Sequence, residues 1–487
     1  VFRLPGTGRH IICRNSAPTS PGTSIPRRPS AYPGGVNNSF FRDGLRPSAC
    51  RAAFCPRLVL VLTKTMKPIT LLITSVWLAG MWSPAIAAPP YTLDQLLALA
   101  MQGNKGVQAA AAGVEAARAG VTTAGAFPNP EVEYTSGRVS ARVPGAATGN
   151  GQTVSITQRL DLPSQRFLRQ EVARKTVSAT IAGQDVYSAE LVAKVKLGYY
   201  ETLRRQAEFE AAQEDLALTQ QLYDRAQVRV DVGEAPRYEA IRVSTELLNA
   251  QKNSHSSLLR ANQAKSSLRQ HVGDILPSSF AITGAMGNVP HLPPLNNLRQ
   301  IMLSNNPELT QYRLELQRAS TAVDYQRSLR LPSVALKAIS NRDPEVRDTQ
   351  FGVVMSIPLW DQNRGPINEA SASAMRVRYL LEAREFELTQ QLDSAYQQSQ
   401  IAASQVEALE SGIVRQAESA LRVAEAAYRY GERGIIDYLD AQRALRTARN
   451  DLIAAQFDLH VAAIEIERLL ATSSTCLLYT SDAADDS

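Results

Sequence analysis

Residues that could carry out covalent or metal chemistry are sparse in this sequence of 487 residues. Four histidines of its long middle part, His255, His271, His291 and His460, stand alone, without the paired spacing of a metal site. The cysteines lie near the two ends, so the middle has no thiolate ligand. We find no nucleophile–base pair and no glycine-rich phosphate loop. We therefore predict that the protein is not an enzyme and has no catalytic residues, metal site or cofactor.

Two carboxylates have a spacing that brings their charges together. Asp437 and Asp440 are three residues apart, which places them on one face of a helix. Acidic residues in the first turn of a helix also stabilise its positive N-terminal end. Spacing alone leaves a functional and a purely structural interpretation open.

The helix that carries these aspartates has a regular seam. Large residues and alanines alternate there at steps of three and four, at positions 438, 441, 445, 448, 452, 455, 459, 462, 466 and 469. A sustained period of 3.5 residues predicts a coiled coil. Gly431 and Gly434 interrupt the helical pattern just before this seam and predict a turn.

The net charge of +6 comes from the ends of the chain. Residues 1–65 have a net charge of +9 and the acidic tail has −3, so the part between them is neutral. This balance argues against binding to nucleic acid. We interpret residues 1–65 as a non-native or disordered leader and residues 473–487 as an artefactual tail.

Residues 66–87 have the pattern of a secretory signal peptide. Lys67 supplies the charged start, an apolar stretch follows, and Ala85-Ile86-Ala87 forms a small-residue cleavage site. No cysteine follows the cleavage site, so we do not expect a lipoprotein.

The exported part repeats one order of elements: helix, strand, strand, long helix, turn, helix. We assign the first repeat to residues 88–272, a linker to 273–294 and the second repeat to 295–472. The first long helix is predicted from Pro163 to Gly233, about 105 Å at 1.5 Å per residue. The second is predicted to run about 65 residues to Gly431, or roughly 98 Å.

Four segments alternate like strands, near 131–139, 152–160, 333–340 and 351–357. The last places Phe351, Val353, Met355 and Ile357 on one face, as a lipid-facing strand would. A small soluble sheet is the alternative. A sheet in lipid cannot keep open edges, and four strands are too few to close because known barrels have at least about eight. Two or three chains would satisfy this count.

Three segments carry a family resemblance: Phe127-Pro-Asn-Pro130, the run from Ile357 to Arg364, and the run from Gly431 to Gln442. Together with the repeat and the signal peptide, they resemble the TolC-type outer-membrane efflux proteins over about Tyr91–Ala471. The resemblance implies a mostly α fold with a membrane β-barrel. Specifically, a homotrimer would form a twelve-stranded transmembrane barrel, four strands per protomer, continuous with an α-barrel of long helices. It also implies an outer-membrane channel of a Gram-negative bacterium that extends into the periplasm.

The resemblance assigns roles at the helix-hairpin ends. Asp437 and Asp440 match an acidic aperture at the periplasmic gate. Tyr428 and Arg433 match residues that tether the gate, and Glu239 matches their acidic partner.

Gly233, Gly431 and Gly434 would lie at hairpin tips that dock a periplasmic adaptor protein. The adaptor would connect the channel to an inner-membrane pump of the RND type. The run after Ile357 resembles the CzcC-like branch, which implies efflux of heavy-metal cations. A drug or type I secretion duct, and a periplasmic coiled-coil scaffold without a pore, are the alternatives.

Overall fold

The computed structural model describes residues 90–140, 142–287, 289 and 292–471. The predicted leader, signal peptide and tail lie outside these residues, and so does His291. Within them the chain is mostly helical and consists of two copies of one unit, as predicted. The first copy consists of α1 (Leu93–Gly103), α2 (Lys105–Gly125), β1 (Glu131–Val139), β2 (Gly149–Leu160), α3 (Pro163–Asp231) and α4 (Arg237–Val272). The second consists of α5 (Leu295–Asn305), α6 (Pro307–Ser328), β3 (Ser333–Arg342), β4 (Arg347–Ser356), α7 (Arg364–Ala408), a π-helical turn (Leu409–Ile413), α8 (Val414–Arg429) and α9 (Ile435–Leu470).

Two asparagines join the short helices to the long ones in the same way in each copy. The side chain of Asn104 caps α2 and donates a hydrogen bond of 2.8 Å to the carbonyl of His271. Asn306 caps α6 and donates a hydrogen bond of 2.9 Å to the carbonyl of Leu469. An amide is suited to both tasks because it accepts and donates at once. Each asparagine therefore holds the last turn of the final helix in its own copy.

The small-residue seams are buried contacts between helices. In α4 every seam residue is buried: Leu247, Ala250, Ser254, Ser257, Ala261, Ala264 and Leu268. In α9 the seam residues are buried or half-buried along the whole helix. Small side chains let the helices approach closely, which explains the alternation with alanine.

The second long helix differs from the prediction because it is not continuous. A π-helical turn separates α7 from α8. Gly412 lies within this turn, and the Ser411 hydroxyl donates a hydrogen bond of 2.5 Å to the carbonyl of Glu407. A glycine weakens the α-helical preference, and a serine that bonds back to the preceding turn bends the helix. Together they account for the interruption.

The four strands form one antiparallel sheet in the order β1-β2-β3-β4. The β2–β3 pair joins the two copies, and β1 and β4 are the edges. β3 and β4 extend toward each other beyond the predicted segments near 333–340 and 351–357, so a short hairpin of residues 343–346 connects them. In this hairpin the Asp343 N–H donates to the Val346 carbonyl at 2.8 Å. Because polar and charged residues predominate at this end of the strands, the alternation of apolar and polar residues does not reveal that the strands continue there.

The two faces of the sheet differ in polarity. Because paired residues share a face, the register places Val132 with Ile156, and Leu336 with Val353. Phe351 lies on the same face and is 85% exposed. The opposite face has Glu133, Lys337 and other polar residues. An exposed apolar face thus extends across all four strands.

Among the residues described, no helix combines the length and the apolar character needed to cross a membrane.

Candidate functional site

The two hairpin turns have the same backbone geometry. Gly233 and Gly431 have φ angles of +80° and +74°, a region that favours glycine. In the first turn the Glu234 N–H donates to the Arg229 carbonyl at 2.8 Å, and in the second the Glu432 N–H donates to the Ala427 carbonyl at 2.9 Å. These bonds close each helix with a Schellman motif.

Gly434 has a different position from the other two tip glycines. It precedes α9 as the N-cap residue, with a φ of −79° that any residue can adopt. A Cβ atom added at Gly434 would meet nothing within 4 Å. Neither backbone conformation nor crowding within the chain therefore requires glycine there.

Asp437 and Asp440 lie in the first two turns of α9 and are exposed. Arg433 Nη1 is 3.8 Å from Asp437 Oδ2, and Arg443 Nη1 is 3.2 Å from Asp440 Oδ1. Exposed pairs of this kind are worth less than about 1 kcal/mol. The structure thus keeps both carboxylates on one solvent-facing side of the helix, each beside an arginine.

Tyr428 lies at the contact between the two hairpins and is 7% exposed. Its ring centroid is 6.1 Å from that of Tyr438, and the guanidinium carbon of Arg229 lies 5.0 Å from the Tyr428 ring centroid. Burial raises the pKa of Tyr428, Arg229 opposes the increase, and Glu239 adds to it. The structure therefore brings Tyr428 and Glu239 together from different repeats.

The predicted tether is only partly assembled within one chain. The Tyr428 hydroxyl and Glu239 Oε2 are buried without a hydrogen-bond partner among the described residues. Arg433, in the turn before α9, faces Asp437 rather than Glu239.

Apolar side chains from both hairpins surround Tyr428. The cluster consists of Leu222, Ala226, Val243, Tyr428, Ile435, Tyr438 and Leu439. It packs the end of the second hairpin against the first.

A polar network that sequence analysis missed lies next to this cluster. Glu246 of α4 is buried and accepts from Arg443 Nη2 at 2.8 Å, while Arg446 Nη1 lies 3.5 Å away from the Glu246 carboxylate. The hydrogen bond from Arg443 holds the pKa of Glu246 below its ordinary value, although burial opposes the decrease.

The network continues to α3 through Asp215. Arg446 Nη1 is 3.0 Å from Asp215 Oδ2, and Gln442 donates hydrogen bonds of 3.0 Å to both Asp215 and Thr219. The arginines and the glutamine come from the second repeat, and their partners come from the first. We call Asp215, Thr219, Glu246, Gln442, Arg443 and Arg446 the inter-repeat network.

His460 has a packing role in the structure. Its ring stacks on Tyr200 with centroids 4.0 Å apart, and burial lowers its pKa. In the part of the chain that the structure describes, no group of three or more histidine, cysteine or acidic residues could hold a metal ion.

Comparison with known proteins identifies the relatives of this chain. The family model described as "Outer membrane efflux protein" matches residues 96–274 and 298–472. The cobalt-zinc-cadmium resistance protein CzcC of Cupriavidus metallidurans is 26% identical over 396 residues, 80% of this chain and 91% of CzcC. The nickel and cobalt resistance protein CnrC of the same organism is 28% identical over 307 residues, 61% of this chain and 70% of CnrC.

A solved structure of CusC has the same fold. It superimposes with a TM-score of 0.68 at 18% identity and covers 78% of this chain and 92% of CusC. The similarity to CzcC confirms the resemblance to its branch. None of these names describes an enzyme, which supports a non-enzymatic role.

Proposed function

The chain belongs to the outer membrane efflux protein family, and from this membership we propose that three copies form an exit duct through the outer membrane. The sheets of a homotrimer would close into a twelve-stranded barrel, and the long helices would form an α-barrel in the periplasm. Residues 88–272 and 295–472 are the two repeats of this duct, and residues 273–294 link them.

The exposed apolar face of the sheet carries the proposal. Its pairs place aliphatic and aromatic side chains in contact across neighbouring strands, as in Tyr134 with Val154 and Ala338 with Phe351. Exposure of this apolar face to water would cost free energy, whereas lipid chains would solvate it. The free edges β1 and β4 run in opposite directions, so β4 of one copy can pair with β1 of the next. Closure of the ring would satisfy the backbone groups at these edges.

The hairpin ends form the proposed periplasmic gate. Asp437 and Asp440 of three copies would place six carboxylates around one aperture. We propose that Glu239, Tyr428 and Arg433 tether this aperture when it is closed. The contact of Arg433 with Asp437 is long and exposed, so it can exchange for Glu239 at small cost.

The tips at Gly233, Gly431 and Gly434 are the proposed docking points for a periplasmic adaptor, which would join the duct to an inner-membrane pump of the RND type. Heavy-metal cations are the proposed cargo, because CzcC and CnrC are named for resistance to such metals. The duct does not need to bind its cargo, since the pump selects it.

Conductance in a planar bilayer tests the proposal. The processed protein is purified from outer membranes, its oligomeric mass is measured, and single channels are recorded while a divalent cation is added. We expect a trimer with small, discrete openings that the cation blocks. A folded monomer without channels would instead support a scaffold without a pore.

A further inference from the structure

Three arginines lie near the end of the sheet that is remote from the helices. Arg138 is near the end of β1, Arg342 ends β3 and Arg347 begins β4. Arg342 and Arg347 are directly opposite each other in the β3–β4 ladder. We call Arg138, Arg342 and Arg347 the arginine row.

The arginine row lies on the apolar face. Side chains alternate between faces along a strand, so Arg342 shares its face with Leu336 and Arg347 shares its face with Phe351. By the same rule Arg138 shares its face with Tyr134. The face therefore changes from apolar to cationic toward the remote end, with Ser136, Ser340 and Thr349 between.

The nearby carboxylates do not pair with the row. A Cβ atom added at Gly151 would lie 2.7 Å from Asp343 Oδ1, which places this carboxylate on the opposite face. Asp348 lies on the opposite face, where it accepts hydrogen bonds from Asn341 and Gln350. Glu345 accepts a hydrogen bond from the Ala147 N–H. Among the described residues, no member of the arginine row has a carboxylate oxygen within 4.0 Å, although all three are exposed. Two like charges directly opposite each other destabilise a ladder, so an anion between them would relieve the repulsion.

The height of the row matches the edge of a lipid bilayer. Met355 and Arg347 are eight residues apart on β4, about 27 Å along a strand at about 3.4 Å per residue. A strand tilt of about 40° reduces this to about 20 Å of depth, within the apolar band of about 25 Å known for membrane barrels. Arginine side chains there can extend to the headgroups while their stems stay in the apolar layer.

We propose that the arginine row binds the phosphate groups of a phosphorylated glycolipid of the lipid A class in the outward leaflet. The inference rests on the proposed insertion of the sheet, which places the end remote from the helices at the outer surface. A planar guanidinium suits phosphate because it donates two parallel hydrogen bonds. The free edges strengthen the site, because pairing of β4 with β1 of the next copy would bring Arg347 and Arg138 onto one continuous face.

Lipid retention tests the site. Purified protein in a nonionic detergent is incubated with lipid A, phosphatidylglycerol or inorganic phosphate, and bound lipid is counted by native mass spectrometry. We expect the wild type to retain lipid A. The affinity of the triple variant R138Q/R342Q/R347Q for lipid A should be lower by about tenfold or more. The variant K337Q removes one positive charge from the opposite face and should bind like the wild type. Lysines at the three positions should restore part of the affinity.

The outcomes separate this proposal from the proposed function. Equal lipid A binding by the wild type and the triple glutamine variant would overturn it, and so would equal retention of phosphatidylglycerol and lipid A. Channel recordings in bilayers without lipid A supply the second readout. If the wild type forms channels but retains no lipid A, the duct stands and the lipid site is wrong. If the protein neither inserts nor forms channels, both proposals are wrong.

Discussion

At the scale of single residues, Arg446 is the central cation of the inter-repeat network because it faces both Asp215 and Glu246. Replacing Arg446 with methionine keeps the apolar stem of the side chain but removes one charged partner from each carboxylate, which leaves Asp215 with Gln442 and Glu246 with Arg443. We expect a loss of about 2 kcal/mol in stability, since a hydrogen bond to a charged group contributes about 1.5–3 kcal/mol. Thermal unfolding in detergent measures this loss.

Arg378→Met is the matched control for Arg446→Met. Arg378 pairs with Glu382 one turn along the same helix, and both side chains are exposed. Such a pair contributes about 0.3–0.5 kcal/mol. If both variants unfold at the same temperature, the inter-repeat network does not stabilise the contact between the repeats.

The buried imidazole of His460 should make the folding stability depend on pH. Its pKa is lowered in the folded state, mainly by burial, so the unfolded chain binds the proton more tightly. The stability that this histidine contributes is present above the unfolded pKa of about 6.5 and is lost as the pH falls below it. We expect His460→Phe, which can still stack on Tyr200, to lose less stability between about pH 8 and pH 5 than the wild type. Identical pH profiles would contradict this role.

At the scale of elements, the tip glycines make a graded prediction. Gly233→Ala and Gly431→Ala place a Cβ atom at a positive φ, which costs about 1–2 kcal/mol each. Gly434→Ala should cost less, under about 1 kcal/mol, because Gly434 has an ordinary φ and open space around it and only its N-cap position disfavours alanine. If the tips dock an adaptor, Gly434→Ala should nevertheless weaken adaptor binding, measured by co-purification. A stability loss for Gly434→Ala as large as for the other two would refute this distinction.

The proposed insertion of the sheet in a membrane makes a second prediction at this scale. Trp360 follows β4, is 94% exposed, and is the one tryptophan outside the predicted signal peptide. A tryptophan at this boundary should sit in the headgroup region, as aromatic girdles do in membrane barrels. We expect its fluorescence to be quenched more by lipids brominated near the headgroup than by lipids brominated deep in the chain. In the double variant F351W/W360F the order should reverse, because Phe351 lies midway along β4.

Periodicity predicted the helices well because their seams are local patterns. The ends of α3 and α4 and the turns at Gly233 and Gly431 follow from neighbouring residues. The inter-repeat network could not be predicted this way, because Arg443 is 197 residues from Glu246 and Arg446 is 231 residues from Asp215. Which charges meet is decided by helix packing, which spacing within one helix does not encode.

At the scale of the whole molecule, contacts between residues that are distant in the sequence hold the two hairpins together. We expect a duct to open or close as these contacts loosen or form. The contacts between the hairpins are an apolar cluster around Tyr428, with the inter-repeat network beside it. Glu239 is the acidic member of the proposed tether, so Glu239→Ala should remove the tether and raise the leak through resting channels. A matched change at Glu432, which is exposed at the turn, should leave the leak unchanged. Unaltered conductance in Glu239→Ala would argue against the tether.

The proposed aperture makes the last prediction. Three copies of Asp437 and Asp440 would concentrate six carboxylates where a permeating ion must pass, so multivalent cations should block there. In the double variant D437A/D440A we expect the blocking concentration to rise about tenfold, equivalent to about 1.4 kcal/mol. Asp224→Asn changes an exposed carboxylate on α3 and serves as the control. Raising the salt concentration should weaken block in the wild type more than in the double variant, because salt screens the Asp437 and Asp440 carboxylates, which only the wild type has. Equal block in both proteins would place the cation site elsewhere and remove the acidic aperture from the proposed duct.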